Sequence, residues 1–161
     1  MPVVWRITTA RFAASAFSGE GARRYGGRWN PRGTPLIYTA ESRALALLEM
    51  LVQDDPLSAR YVLIPAHIPD DLPLDRLDAD ALPADWRTLG ARDALQTLGR
   101  RWLEGPHRAA LIVPSAVVPA EHNVLIDPTH PDFTRIAIGP VEALETDMRL
   151  LRNLAAQPRG A

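Results

Sequence analysis

The chain has 161 residues, an apolar fraction of 47%, a charged fraction of 23% and a formal net charge of -1 at pH 7. This length and composition fit one globular domain with a sizeable core, and the near-neutral charge argues against a broad basic surface for nucleic acid. The sequence contains no cysteine, which excludes disulfides, thiolate metal sites and cysteine nucleophiles.

The N-terminal sequence, MPVVWRITTARF, lacks the basic region and long apolar core of a signal peptide. No apolar run approaches the roughly 18 residues that a membrane helix needs. We therefore expect a cytoplasmic protein without a membrane anchor. All 18 positively charged side chains are arginine. This bias is typical of GC-rich coding, so an arginine by itself is weaker evidence of function than usual.

Apolar segments bounded by glycine, proline or polar residues predict most of the strands. In chain order these are Val3–Ile7, Pro35–Thr39, Arg60–Ile68, Ala109–Val113, Asn123–Ile126 and Phe133–Ile138. Residues 8–27 are predicted to form a loop with a helical turn around Ala10–Phe17. Pro65 suggests an edge strand or a bulge, because proline cannot donate to a strand ladder. The Asp- and Pro-rich residues 69–85 predict a surface excursion.

Two helices are predicted between these strands. The first has Thr39 as its N-cap and runs to about Gln53, and the second covers Thr88–Leu103. The tail has two interpretations, a last strand at Val141–Asp147 or a helix with an apolar face of Leu144, Met148, Leu151 and Ala155. Short strands outnumber helices, which predicts an α+β fold with mixed or split β-sheets and flanking helices, in a single domain over residues 1–161.

One strand–turn–helix unit gathers three side chains with complementary chemistry. Gly26 and Gly27 precede Arg28, so the backbone can approach a phosphate closely while the guanidinium binds it with two charge-assisted hydrogen bonds. Tyr38 ends the following strand and offers an aromatic platform, and Glu49 adds a negative charge on the helix. The unit suits a phosphate-containing ligand that develops positive charge as it reacts.

Each of these side chains also has a purely structural interpretation. Arg28 also suits a turn in which it stacks on Trp29 or pairs with a surface acid, and Tyr38 suits a core position with a satisfied hydroxyl. Glu49 lies at the border of the predicted apolar stripe, and periodicity alone slightly favours a solvated carboxylate. That stripe consists of Ala44, Leu45, Leu48, Leu51 and Val52.

The remaining polar residues give weaker signals. Ser115 and Asn123, at strand ends, are either polar ligands or ordinary turn formers. No G-x-S-x-G elbow, Walker loop or Rossmann fingerprint occurs. The four histidines lack metal-binding spacing, so we expect no metal site and treat them as structural or surface residues: His67, His107, His122 and His130.

Two blocks of the sequence share a pattern with a known family. The first block contains WRI at 5–7, SGEGARR at 18–24, GRWN at 27–30, Gly33, IYTA at 37–40, Ser42 and ALLE at 46–49. The second runs from Pro114 and Ser115 through Asn123 to Asp127 and Pro128. Together they resemble the RES domain, the toxin half of the RES–Xre type of bacterial toxin–antitoxin pair. The spacing of arginine, tyrosine and glutamate in the first block is the most specific part of this resemblance.

The resemblance implies a fold related to ADP-ribosyltransferase toxins, with NAD+ as the substrate in a cleft between sheets. The family's reactive arginine, tyrosine and glutamate fall on Arg28, Tyr38 and Glu49, and its first-strand arginine falls on Arg6. By this resemblance Arg28, helped by Arg6, holds the pyrophosphate or the nicotinamide-ribose end of NAD+. Tyr38 then stacks on the nicotinamide, and Glu49 offsets the developing positive charge.

The resemblance also implies a function and a partner. The expected protein is a toxin that cleaves the nicotinamide–ribose bond of NAD+ by hydrolysis or phosphorolysis and thereby arrests growth, with Ser115 and Asn123 as candidates for orienting ribose or amide groups. The implied partner is an Xre-like antitoxin with a helix-turn-helix domain, which blocks the active site and alone contacts DNA. Two alternatives stay open: a mono-ADP-ribosyltransferase that modifies a cellular protein, and a non-catalytic nucleotide-binding module.

Overall fold

The computed structural model describes residues 2–53, 60–147 and 149–150. Within these residues the chain forms eight strands and three α-helices. The strands are β1 (Val3–Thr9), β2 (Ile37–Ala40), β3 (Tyr61–His67), β4 (Asp75–Arg76), β5 (Ala110–Pro114), β6 (His122–Ile126), β7 (Ala137–Ile138) and β8 (Glu142–Ala143). The helices are α1 (Glu20–Tyr25), α2 (Arg43–Leu51) and α3 (Arg92–Glu104), and short 3-10 turns occur at Ala10–Ser15, Ala79–Ala81, Leu89–Ala91 and Pro131–Arg135.

The strands form one mixed sheet in the order β4-β5-β6-β2-β1-β3-β7, and β8 also pairs with β3. β4 and β5 run parallel, and the other strand pairs in the described part of the chain are antiparallel. This architecture confirms the predicted α+β fold. β1 and β3 are matched from Val3 with His67 to Thr9 with Tyr61, whereas the register of β1 and β2 contains the single pair Trp5 and Ala40. The sheet is therefore nearly divided between β1 and β2.

Helices α2 and α3 cover neighbouring parts of one face of this sheet. Successive residues of a strand point to opposite faces, so Tyr38 and Ala40 share a face of β2. Tyr38 packs with the cluster that contains Leu95 of α3, whereas Ala40 packs with Leu45 of α2. Each fully buried leucine such as Leu95 or Leu45 contributes about 1.5–3 kcal/mol. The boundary between the two helix-covered regions therefore crosses β2 at its last residues.

The predicted N-cap of the first helix is wrong. Thr39 is a buried residue of β2, and its hydroxyl donates to the main-chain oxygen of Val124 at 2.6 Å. Ser42 caps α2 instead, because its extended backbone lets Oγ accept from the main-chain N–H of Leu45 at 3.0 Å. The strand thus runs one residue further than predicted, and the helix begins at Arg43.

Two other predicted elements are corrected by local geometry. The loop predicted over residues 8–27 contains α1, which lies between two glycines with positive φ, Gly19 at 73° and Gly26 at 72°. Gly19 and Gly26 lie at the two ends of this helix, whereas the number of glycines in residues 8–27 had suggested a loop. The predicted strand Phe133–Ile138 begins as the 3-10 turn Pro131–Arg135, because the side chain of His130 accepts from the N–H of Asp132 and stabilises that turn.

The other predicted elements agree in type and differ at their ends. The helix predicted over Thr88–Leu103 is the 3-10 turn Leu89–Ala91 followed by α3. Pro65 lies in β3 between the segment that pairs with β7 and the segment that pairs with β8. Its missing N–H is tolerated because neither strand pairs with Pro65 itself. β8 agrees with a last strand in the tail. The alternative tail helix falls largely on Met148, Leu151 and Ala155, which lie outside the described residues.

Candidate active site

The site residues predicted from the sequence lie around the last residues of β2. In the antiparallel pairing of β2 with β6, Tyr38 lies opposite Leu125 and Ala40 lies opposite Asn123. Tyr38, Ala40 and Asn123 therefore share one face of the sheet. Tyr38 and Ala40 are two residues apart, which is about 7 Å along a strand. A ligand on this face that is longer than about 7 Å can contact both Tyr38 and Ala40.

Glu49 projects from α2 into a polar group that we call the carboxylate cluster, formed by Glu49, Ser115 and Asn123. Its Oε1 accepts from Ser115 Oγ at 2.7 Å and from Asn123 Nδ2 at 2.7 Å. Ser115 Oγ in turn accepts from the main-chain N–H groups of Val117 and Val118 at 3.1 Å each. Both side-chain donors thus act on one oxygen and hold it in place, and Oε2 accepts no side-chain hydrogen bond from the described residues.

One atom of the carboxylate cluster is buried and unsatisfied. Asn123 Oδ1 is buried and has no hydrogen-bond partner in the described part of the chain. A buried acceptor without a donor costs about 1–3 kcal/mol, so such atoms are uncommon in folded proteins. An N–H or O–H group of a ligand would satisfy it. Asn123 therefore offers a ligand an acceptor within the carboxylate cluster.

The apolar stripe predicted for the first helix is wrong, and the solvated Glu49 that periodicity favoured is wrong with it. The buried residues of α2 are Leu45, Ala46 and Met50, whereas Leu48 and Val52 are 40% and 65% exposed. Glu49 lies one turn after Leu45 and therefore on the inward side of the helix. Its hydrogen-bond partners are 66 and 74 residues away in the sequence, so helix periodicity contained no signal for them.

Tyr38 belongs to a second polar group, the tyrosine cluster, formed by Tyr38, Asn30 and the Gly27–Trp29 turn. Its hydroxyl donates to Asn30 Oδ1 at 2.6 Å and accepts from the main-chain N–H of Trp29 at 2.9 Å. Asn30 is fully buried and also donates to the main-chain oxygens of Ala22 and Thr34. Asn30 is the positioning residue that the sequence analysis did not single out, although it belongs to the GRWN motif.

Two glycines permit this close packing. A Cβ on Gly27 would lie 2.5 Å from the Tyr38 hydroxyl and 2.8 Å from Asn30 Oδ1, so a larger residue cannot occupy the position without displacing both. A Cβ on Gly99 of α3 would overlap the main-chain oxygen of Trp29. Gln96 of α3 also donates to the main-chain oxygen of Gly27 at 2.8 Å. The turn that carries Arg28 is thus held directly against α3.

The hydroxyl of Tyr38 is a fixed structural group. Burial raises the pKa of Tyr38 well above its ordinary value of 10.0, although the Trp29 N–H and the charges of Arg92 and Arg28 oppose the shift. The hydroxyl therefore stays protonated and cannot serve as a general base. The residue as a whole is half-buried, so its ring retains some exposed surface. The hydroxyl of Tyr38 is therefore satisfied, as the structural interpretation expected, while part of the ring is exposed and could contact a planar ligand.

Two arginines supply positive charge at the site. Arg6 Nη1 donates to the main-chain oxygen of Tyr38 at 3.1 Å, and Arg28 Nη1 donates to that of Trp86 at 3.2 Å. Burial lowers the pKa of Arg6 to about 10, so Arg6 is still charged at neutral pH. Its Nε is buried without a partner, and neither arginine forms an ion pair with another described residue. An anionic ligand would therefore meet two guanidinium groups that no described acidic side chain balances.

A third polar network lies beyond the other end of β6. The two ring nitrogens of His107 face acceptors, the main-chain oxygen of Gly105 at 2.8 Å and Asp127 Oδ2 at 2.9 Å. Burial lowers the pKa of His107, but the hydrogen bonds to Gly105 and Asp127 and the charges of Asp127 and Asp75 outweigh it and raise the pKa above 6.5. Asp127 Oδ1 also accepts from Thr129. The Asp-Pro motif therefore secures a turn, and His107 has the structural role predicted for it.

Comparisons with known proteins place the chain among bacterial toxins. The family model described as RES domain matches residues 3–147. A relative named Toxin Res from Photorhabdus laumondii is 40% identical over 154 residues, 93% of this chain and 97% of the relative. A Prs ADP-ribosylating toxin from Sphingobium sp. is 38% identical over 92% of this chain and 96% of the relative. The NAD(+) phosphorylase MbcT of Mycobacterium tuberculosis is 44% identical over 52 residues, 30% of this chain and 28% of the relative.

Proposed function

The chain belongs to the RES domain family, and we propose that it is a toxin enzyme that cleaves the bond between nicotinamide and ribose in NAD+. The observation that carries this proposal is the carboxylate cluster. Glu49 is held on one oxygen by two donors, its other oxygen has no donor among the described residues, and its partner Asn123 lies on the same sheet face as Tyr38. The names of two relatives, one an ADP-ribosylating toxin and one an NAD(+) phosphorylase, support the same substrate.

Cleavage of this bond is favoured by a fixed negative charge beside the ribose carbon that becomes positive. When the C–N bond breaks, its electron pair leaves with the nicotinamide, which becomes neutral, and the ribose carbon becomes oxocarbenium-like. Glu49 Oε2 would accept a hydrogen bond from a ribose hydroxyl and offset the positive charge on the ribose. Because Ser115 and Asn123 already hold Oε1, little reorganisation is needed as the charge develops, which is electrostatic preorganisation. Asn123 Oδ1, which has no donor among the described residues, would accept a hydrogen bond from a ribose hydroxyl or from the nicotinamide amide.

The anionic part of NAD+ would bind on the tyrosine side of the site. Arg6 and Arg28 have no ion-pair partner among the described residues, which suits the two negative charges of a pyrophosphate. The ring of Tyr38, anchored by its hydroxyl, would stack on the nicotinamide ring. Arg28, Tyr38 and Glu49 would thus act on the phosphates, the leaving group and the ribose respectively. Each step uses only side chains of this chain, and no metal is required.

The acceptor of the ADP-ribosyl group is water, phosphate or a protein side chain. The relative named as a phosphorylase favours phosphate, and the relative named as an ADP-ribosylating toxin, which is similar over most of both chains, favours a protein. The second candidate function is therefore mono-ADP-ribosylation of a cellular protein by the same three residues. We further propose one domain over residues 1–161, action in the cytoplasm, and an Xre-like antitoxin that blocks the site and contacts DNA. No described helix has the length and apolar character of a membrane span.

The proposed activity is tested by incubating the purified protein with NAD+ and measuring free nicotinamide over time. The expected result is equimolar loss of NAD+ and release of nicotinamide. A parallel reaction with labelled NAD+ and a bacterial extract separates the candidates, since only protein modification leaves the label on a protein. If NAD+ binds and neither nicotinamide nor labelled protein is formed, the chain is a nucleotide-binding module and the proposal is wrong.

A further inference from the structure

A two-residue segment, Trp86 and Arg87, connects the two polar clusters of the site, and we call it the 86–87 bridge. The main-chain oxygen of Trp86 accepts from Arg28 at 3.2 Å, beside the tyrosine cluster. Arg87 Nε donates to the main-chain oxygen of Ala116 at 3.0 Å. Ala116 directly follows Ser115, which holds Glu49. The bridge therefore brings the guanidinium of Arg87 to the carboxylate side of the site.

The bridge is anchored on its apolar side. Trp86 is 7% exposed and packs in the core cluster that contains Trp29, Leu82 and Leu95. A main chain fixed in this way limits the positions that the Arg87 side chain can reach. The hydrogen bond of Nε to Ala116 limits them further, and no described residue accepts from the two terminal amino groups of the guanidinium. Arg87 is thus an oriented anion binder whose donor fork is open.

The charge of Arg87 is not balanced by the protein. In the described residues no acidic side chain forms an ion pair with Arg87, and its hydrogen bond is to a neutral carbonyl. Two other exposed arginines do form ion pairs, Arg76 with Asp78 at 2.7 Å and Arg135 with Asp71 at 2.7 Å. Arg6, Arg28 and Arg87 share the pattern of carbonyl-bonded arginines without ion pairs. Arg6 bonds to Tyr38, Arg28 belongs to the turn of the tyrosine cluster, and Arg87 bonds to the residue that follows Ser115.

The position of Arg87 suits a second anion rather than the pyrophosphate. Arg6 and Arg28 bind main-chain oxygens on the tyrosine side, whereas Arg87 binds the residue after Ser115 on the carboxylate side. A phosphate that approaches the ribose carbon there is repelled by Glu49, because like charges at close range in a partly buried site disfavour each other. A neighbouring guanidinium offsets that repulsion and binds phosphate with charge-assisted hydrogen bonds.

We propose that Arg87 binds inorganic phosphate as the acceptor of the ADP-ribosyl group; this deepens the proposed function and rests on it. An oxygen of hydrogen phosphate forms a C–O bond to the ribose carbon as the C–N bond breaks. The electron pair of the C–N bond leaves with neutral nicotinamide. The products are nicotinamide and ADP-ribose carrying a phosphate on that carbon. The dianion of phosphate attacks through an oxygen that carries no proton, so no base is required.

The test is a steady-state comparison of wild-type protein, Arg87→Ala and Arg87→Lys over a range of phosphate and NAD+ concentrations. Losing a charge-assisted hydrogen bond costs roughly 10- to 100-fold in affinity, so Arg87→Ala should raise the KM for phosphate by at least about 10-fold. The KM for NAD+ should change by less than about 2-fold. Arg87→Lys keeps the positive charge but loses the planar donor fork, so its KM for phosphate should lie between those of wild type and Arg87→Ala. The exposed Arg135→Ala is the matched control and should match wild type.

Four results would overturn the assignment. An unchanged KM for phosphate in Arg87→Ala removes Arg87 from acceptor binding, and a raised KM for NAD+ alone moves it to the pyrophosphate. Wild-type consumption of NAD+ that is independent of phosphate overturns the inference and leaves the proposed function intact. A wild-type protein that consumes no NAD+ with phosphate, and that neither releases nicotinamide nor labels a protein in a bacterial extract, overturns both.

Discussion

Replacing Ser115 by alanine should weaken both folding and catalysis, because this fully buried hydroxyl makes three hydrogen bonds. It donates to the Glu49 carboxylate, a bond worth about 1.5–3 kcal/mol, and accepts from two main-chain N–H groups, at about 0.5–1.5 kcal/mol each. Full additivity is not expected, since water can enter the space. We therefore predict a loss of about 2–4 kcal/mol in the free energy of unfolding for Ser115→Ala.

The same substitution should affect catalysis differently from substrate binding. Glu49 keeps its bond to Asn123 at 2.7 Å, so the carboxylate remains in place and loses only half of its support. A loss of about 1.5–3 kcal/mol of transition-state stabilisation corresponds to roughly a 10- to 100-fold lower kcat. The KM for NAD+ should change little, because Ser115 is a positioning residue that acts through Glu49.

The assays are urea unfolding followed by tryptophan fluorescence and NAD+ consumption below the unfolding transition. The control is Ser15→Ala, since Ser15 is exposed and bonded to a nearby main-chain oxygen, and its loss should cost less than about 0.5 kcal/mol. A folded Ser115→Ala protein with wild-type stability and kcat would refute the argument that Ser115 supports the carboxylate.

Two further predictions concern the frame of the site. Gly27→Ala should destabilise by about 1–3 kcal/mol, because its Cβ meets the Tyr38 hydroxyl and Asn30. Gly21→Ala, with nothing within 4 Å, should be neutral or stabilising in the same unfolding assay; equal effects would refute the steric argument. Since the folded pKa of His107 is raised, its stabilisation should be complete below about pH 6.5 and disappear as pH rises through the folded pKa, because the native state then binds more protons than the unfolded state. Unfolding measured against pH should show this decline for wild type and less of it for His107→Gln; equal slopes would contradict it.

Local sequence patterns predicted the strands better than they predicted how the helices pack. The apolar segments around Ile37, Ile64 and Leu125 indicated strands, and each lies within one. The cap of α2 was wrong because Thr39 and Ser42 are both good capping residues, and the pairing of β2 with β6 decides which of them is free to cap. That pairing joins residues more than 80 positions apart, and local propensity contains no information about it.

The sequence likewise predicted some features of the candidate site and not others. The motif with Arg28, Tyr38 and Glu49 pointed to one site, and their elements do meet at β2. What the sequence could not supply was the contact partners. Glu49 is turned inward because Ser115 and Asn123 compensate its charge, and a helix wheel without those partners favours solvent. Arg87 gave no sequence signal, since its position depends on a hydrogen bond to Ala116, 29 residues away.

The most direct test of the central claim compares nicotinamide release from NAD+ by wild-type protein and by Glu49→Gln. Glutamine keeps an oxygen that can accept from Ser115 and Asn123 but removes the negative charge. The matched control is Glu104→Gln, since Glu104 lies at the exposed end of α3. We expect roughly 10²- to 10³-fold slower release by Glu49→Gln, as for the loss of one preorganised electrostatic contact, and no change for Glu104→Gln. A folded Glu49→Gln protein that releases nicotinamide at the wild-type rate would show that the negative charge of Glu49 does not stabilise the transition state.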